Sequence, residues 1–160
     1  MIRFCFILIL TMLPITAFAD KTEEQLKSFL MSREVLEQVY FEYASEKLTI
    51  LARENIDSIV PDLKSLAAKG YLFRLEGFSS SDGDNSRNMN LSLSRALSVS
   101  HYLKGQHDLN LDVFLTGYGG SEKSREIEKS RRVDIAAYVK PVAAAALFDD
   151  LGTVEKISIK

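Results

Sequence analysis

The spacing of apolar residues changes along the chain, and each change marks an element. Val39, Phe41 and Tyr43 stand at every second position, so they share one face of a strand over residues 39–43, with a turn at Ala44-Ser45. From residue 50 to 69 the spacing lengthens. Ile56, Ile59, Val60, Leu63 and Leu66 form the stripe of an amphipathic helix, and Gly70 stops it. Pro61 has no amide hydrogen, which predicts either a kink over residues 57–61 or a helix restarting near Pro61. Residues 71–76 return to strand character and run into a turn at Gly77. Residues 79–90 are rich in Ser, Asp, Asn and Gly, a loop composition. Ser92 is placed to cap a helix from Leu93, with Ala96, Val99 and Leu103 buried and Gly105 as its end. Residues 109–116 and 133–139 read as a third and a fourth strand. Between them lie a turn at Gly117-Tyr118-Gly119-Gly120 and a charged stretch to Ser130. Strands alternating with helices predict an α+β fold: a two-layer βαβαβ-type sandwich with one mixed sheet and helices packed on one face.

The two ends stand apart from this pattern. A short positive start, an apolar run from Phe4 to Leu13 and Ala17-Phe18-Ala19 have the form of an export signal over residues 1–19, with Asp20 the first mature residue. Residues 20–37 are polar and helix-friendly, an N-terminal arm or helix. Residues 38–139 form the domain, and residues 140–160 a C-terminal extension. In that extension Ala143 to Phe148 suit a short helix and Thr153 to Ile159 an edge strand. Cys5 lies inside the signal, too early for a lipidation site, so the mature chain has no thiol chemistry and no disulfide. After the signal no run is long enough to span a membrane.

With 20 Lys and Arg against 22 Asp and Glu, the formal net charge is −2, which argues against general nucleic-acid binding. His101 and His107 have no cluster of ligands around them, so no metal is expected. No nucleophile with a base and no phosphate loop is present, so no catalytic residue and no cofactor are expected. What remains is Arg95. The predicted helix places it in the first turn, where the dipole disfavours a cation and unpaired N–H groups favour an anion. The loop before it supplies Ser80, Asp82 and Asn88 as further polar candidates. Arg131 or Arg132, with Arg132 preferred, adds a second positive contact or a loop salt bridge.

These pieces together resemble the OmpA C-terminal family. The resemblance covers residues 38–139. It rests on Phe41 with Ser45 and Leu48, on Gly77, Gly83 and Asn88, and on Leu91-Ser92-x-x-Arg95-Ala96-x-x-Val99-x-x-Tyr102-Leu103. Gly117-Tyr118-Gly119 and Ser130-Arg131-Arg132-Val133-Asp134-Ile135 complete it, in order. The resemblance implies a non-catalytic periplasmic module of a Gram-negative envelope, associated with the outer membrane or cell wall. It would bind peptidoglycan non-covalently through a diaminopimelate-type peptide stem. It also implies an arginine at Arg95 for the ligand's carboxylate and an aspartate for its ammonium. The aspartate's place holds Ser80, which can hydrogen-bond but cannot neutralise an ammonium. Leu91 resembles a groove-lining residue of the family and equally suits the core. The alternative is an adaptor in an envelope assembly that has lost tight binding, with a protein partner met by the arm or the extension.

Overall fold

The computed structural model describes residues 15–109, 111, 113–120 and 127–140, with side chains from residue 23 onward except at 127 and 128. Most of the predicted export signal, the charged stretch over residues 121–126 and the predicted helix and strand of the C-terminal extension lie outside the described residues.

The elements run α1 (Ile15–Met31), β1 (Glu34–Tyr40), α2 (Ile50–Ala68), β2 (Leu72–Gly77), α3 (Asn85–His107), β3 (Val113–Gly117), a short 3-10 turn (Ile127–Ser130) and β4 (Arg132–Tyr138). The strands lie in the order β1-β4-β2-β3. β4 pairs antiparallel with both β1 and β2, and β3 pairs parallel with β2 through the α3 crossover. This is the predicted α+β architecture with its mixed sheet.

The core lies between one sheet face and α2 and α3. Val39, Phe73, Leu75, Val133, Ile135 and Ala137 meet Ile56, Ile59, Val60 and Leu63 of α2 and Ala96, Val99 and Leu103 of α3. The predicted α2 stripe is correct. Thr49 caps that helix by accepting from the Ala52 amide, and Gly70 follows it at φ +81, a conformation open to glycine. α2 runs through Pro61 as a single helix. A second, smaller cluster on the opposite sheet face joins Leu72, Ala136 and Tyr138 to Phe29 of α1, whose ring stacks on Tyr138 at 4.9 Å.

The bounds of β1, β3 and α3 differ from expectation: β1 ends at Tyr40, which leaves Phe41–Tyr43 outside the strand with Tyr43 exposed, and β3 begins at Val113 and not at residue 109. β1 begins at Glu34, inside the predicted arm, because residues as early as Glu34 pair with β4; a bulge between Val35 and Glu37 breaks the period of two there. α3 begins at Asn85, not Leu93. Asp84 is its cap, accepting from the Arg87 amide at 2.9 Å, so the polar run Asn85–Asn90 is helix and not loop. The helix also passes through Gly105 and closes at Asp108, which takes a left-handed backbone at φ +49.

Candidate ligand-binding site

The early start of α3 moves Arg95 from the first turn into the middle of the helix. It is fully buried. Its guanidinium crosses to the two segments that leave β1 and β2. Nε donates to the Ser45 carbonyl at 2.9 Å, Nη2 to the Glu42 carbonyl at 3.1 Å and Nη1 to the Phe78 carbonyl at 2.9 Å. The cation also lies 5.3 Å from the centre of the Phe41 ring. These acceptors are neutral. Among the described residues no carboxylate makes an ion pair with Arg95. Burial, then the nearby positive charge of Arg131, lowers its pKa to about 10, with exposed Glu46 acting weakly the other way. The group therefore stays protonated at neutral pH, a desolvated cation held by backbone dipoles.

The second positive charge beside it is Arg131. Its Nε reaches the Phe41 carbonyl at 3.4 Å, and the Phe41 amide donates to the Arg131 carbonyl at 2.8 Å. Arg131 is half-buried and has no ion pair among the described residues. Arg95 and Arg131 thus share one neighbour, Phe41.

Arg132, the preferred candidate, belongs elsewhere. Along β4, Val133 and Ile135 face the core, so Arg132 and Asp134 face the other side. Arg132 donates to Asp134 Oδ1 at 2.7 Å and covers the Phe78 ring at 4.5 Å. It lines an open groove of about 530 Å³ with Arg33, Arg74, Glu76, Asp134 and Tyr138. In that groove the carboxylates are already paired. Arg33 bridges Glu76 at 2.7 Å and Asp134 at 3.0 Å, tying the α1–β1 junction to the sheet.

The loop before α3 is built by Asn88. Its Nδ2 donates to the Asp82 carbonyl at 2.8 Å, and its Oδ1 accepts from the Ser79 hydroxyl at 3.0 Å. The Ser79 amide donates to the Gly119 carbonyl at 2.7 Å, joining this loop to the turn after β3. Asn88 is therefore a loop brace. Ser80 is almost fully buried, yet its side chain makes no hydrogen bond among the described residues. The Asp82 side chain is exposed, and Leu91 is half-buried on α3. Ser92, expected as a cap, instead lies buried inside α3. Its hydroxyl donates to the Met89 carbonyl and accepts from the Gly119 amide at 3.0 Å.

The structure thus ties Asn88 to the loop at Ser79 and Asp82, ties Arg95 to the same loop through the Phe78 carbonyl, and turns the Arg132 side chain to the other sheet face. Sequence reasoning preferred Arg132 to Arg131 and did not single out Ser79, which joins the Asn88 brace. Its available signal was the alternation along β4, which turns Arg132 away once Val133 and Ile135 are assigned to the core.

An α+β sheet of this order, with a braced glycine loop before a long helix, defines a class, and the sequence agrees. Residues 40–135 match the OmpA family, and the chain belongs to it. The fold is similar to the peptidoglycan-associated lipoprotein from Burkholderia pseudomallei at 18% identity and TM-score 0.55, covering 62% of this chain and 88% of that one. It is similar to the C-terminal domain of Helicobacter pylori MotB at 18% identity and TM-score 0.57, covering 74% and 98%. The OmpA-like domain of FopA1 from Francisella tularensis matches at 25% identity and TM-score 0.51, covering 64% and 69%. No curated protein matches the sequence.

Proposed function

We propose that this chain is a non-catalytic periplasmic binding module that holds peptidoglycan non-covalently, at a carboxylate of the diaminopimelate-type peptide stem. One observation carries the reading. Arg95 and Arg131 adjoin Phe41 from two directions, and neither has a carboxylate in contact among the described residues. A ligand carboxylate supplies the missing charge. Arg95 is sealed at rest, so binding exchanges a neutral acceptor, the carbonyl of Glu42 or Ser45, for a charged one. Both carbonyls lie on the turn after β1, where Glu42 and Ala44 are exposed and Ala44 has a positive φ of 51°. A charge-assisted bond is about twice as strong as a neutral one, which favours the exchange. Membership of the OmpA family and the likeness to a peptidoglycan-associated lipoprotein support the same ligand.

The complete burial of Arg95 also favours a second reading, an envelope adaptor in which this arginine only ties loops together. Sedimentation with purified peptidoglycan separates the two. The chain from Asp20 onward is expected to sediment with the wall, and Arg95→Ala and Arg131→Ala to lose most of that retention, with circular dichroism confirming that each is folded. Equal retention of a folded Arg95→Ala sinks the clamp. No retention of the unaltered chain favours the adaptor.

A further inference from the structure

The charges around this site are unevenly matched. It holds two guanidinium groups, one of them wholly desolvated. The carboxylates nearby are all engaged or wet. Asp84 caps α3, while Glu42, Glu46 and Asp82 are exposed, so solvent screens them. The side chain of this loop left with a free hydrogen-bonding group is neutral: Ser80 is mostly buried, but its hydroxyl keeps access to solvent and makes no hydrogen bond among the described residues, two residues beyond the carbonyl that Arg95 holds. Such a site solvates an anion and a neutral amide. It offers a desolvated ammonium two like charges and no buried counter-charge.

A diamino acid in a peptide stem carries its second amine in one of two chemical states. Uncross-linked, it is an ammonium. Cross-linked to a neighbouring stem, it is a neutral amide whose N–H and C=O suit a serine hydroxyl. From this charge distribution we infer that the domain selects cross-linked, amide-bearing stems over stems with a free amine, and that Ser80 sets the preference. The inference rests on the peptidoglycan reading above.

Calorimetry with two probes tests it: a synthetic diaminopimelate-containing stem peptide, and the same peptide acetylated on its free side-chain amine. The acetylated probe is expected to bind at least about threefold more tightly, a modest difference on the affinity scale. Ser80→Asp, with its fold checked by circular dichroism, is expected to reverse the order by giving the ammonium a carboxylate. Equal affinities, or tighter binding of the free amine by the unaltered chain, overturn the inference. If the chain sediments with intact peptidoglycan but binds neither probe, the inference fails together with the stem carboxylate as the contact, while peptidoglycan binding itself stands. If it does neither, the peptidoglycan reading fails with it.

Discussion

Gly77 at the end of β2 lies so close to Ser92 of α3 that a Cβ on the glycine would come within 1.9 Å of the Ser92 carbonyl oxygen. The obstacle is helix backbone, which cannot rotate aside. Gly117 meets the same helix, its Cβ position 2.7 Å from the Ser92 hydroxyl. These two glycines let α3 press onto the ends of both parallel strands, which fixes where Arg95 emerges. Gly77→Ala is expected to destabilise the domain by about 3 kcal/mol through overpacking, measured by urea denaturation.

Gly105 makes the opposite prediction. It lies inside α3, and a Cβ there meets nothing within 4 Å. Gly105→Ala removes a flexible residue from an open helical position. It is expected to stabilise by about 0.5–1 kcal/mol in the same denaturation experiment.

The sheet face opposite the proposed site predicts an alkaline titration. The Tyr138 hydroxyl is buried and donates to Glu76 Oε1 at 2.6 Å. Burial first, then that bond and the Glu76 charge, push its pKa up to about 12. The fold therefore favours the neutral phenol. This contribution is complete below the unfolded value of about 10 and is lost as pH rises through about 12. Ultraviolet titration of tyrosinate should show a late phase that Tyr138→Phe removes. A Tyr138→Phe curve identical to the parent would show that the phenol is not shielded.

The fold was largely legible in the sequence, and the failures were local. Apolar spacing found the α2 stripe and all four strands in outline. It misplaced β1, because the bulge between Val35 and Glu37 interrupts the alternation that defines a strand. It misplaced the start of α3, because Asn85–Asn90 is polar on nearly every side. That turn is held by the Asp84 cap and by Asn88 bracing the loop, which are tertiary and capping effects rather than helix propensity. The site was half legible. Motif order singled out Arg95, but its burial comes from carbonyls of Glu42 and Ser45 some fifty positions away, which no local pattern exposes.

The far end of α3 carries a polar clasp to α2. Asp57 accepts from the Tyr102 hydroxyl at 2.9 Å and lies 2.7 Å from His107 Nε2. The His107 hydrogen bond first, and the Tyr102 bond after it, hold the Asp57 carboxyl below its usual 3.8. A depressed carboxylate contributes stability above its unfolded pKa, and that contribution is lost as pH falls through the folded value. A carboxyl-carbon NMR titration should give Asp57 a midpoint below 3.8, moving upward in His107→Ala. An unmoved midpoint would show that His107 does not hold the carboxylate.

Arg131 and Arg132 are adjacent in sequence but act on opposite faces of the sheet, so replacing each should separate binding from stability. Arg132 is buried against Asp134, and its loss leaves that carboxylate to Arg33 and Gln38 alone. Arg132→Ala is expected to cost about 2 kcal/mol, less than a fully orphaned buried charge because two partners remain. Its folded fraction should still sediment with peptidoglycan as the parent does. Arg131 is half-buried and makes only a long bond to the Phe41 carbonyl. Arg131→Ala is expected to change stability by no more than about 0.5 kcal/mol. Its affinity for peptidoglycan should fall about tenfold, because the carboxylate loses one of its two cations. Urea denaturation and sedimentation on the same two variants decide the matter. If Arg132→Ala abolishes retention while folded, the binding face has been assigned to the wrong side of the sheet.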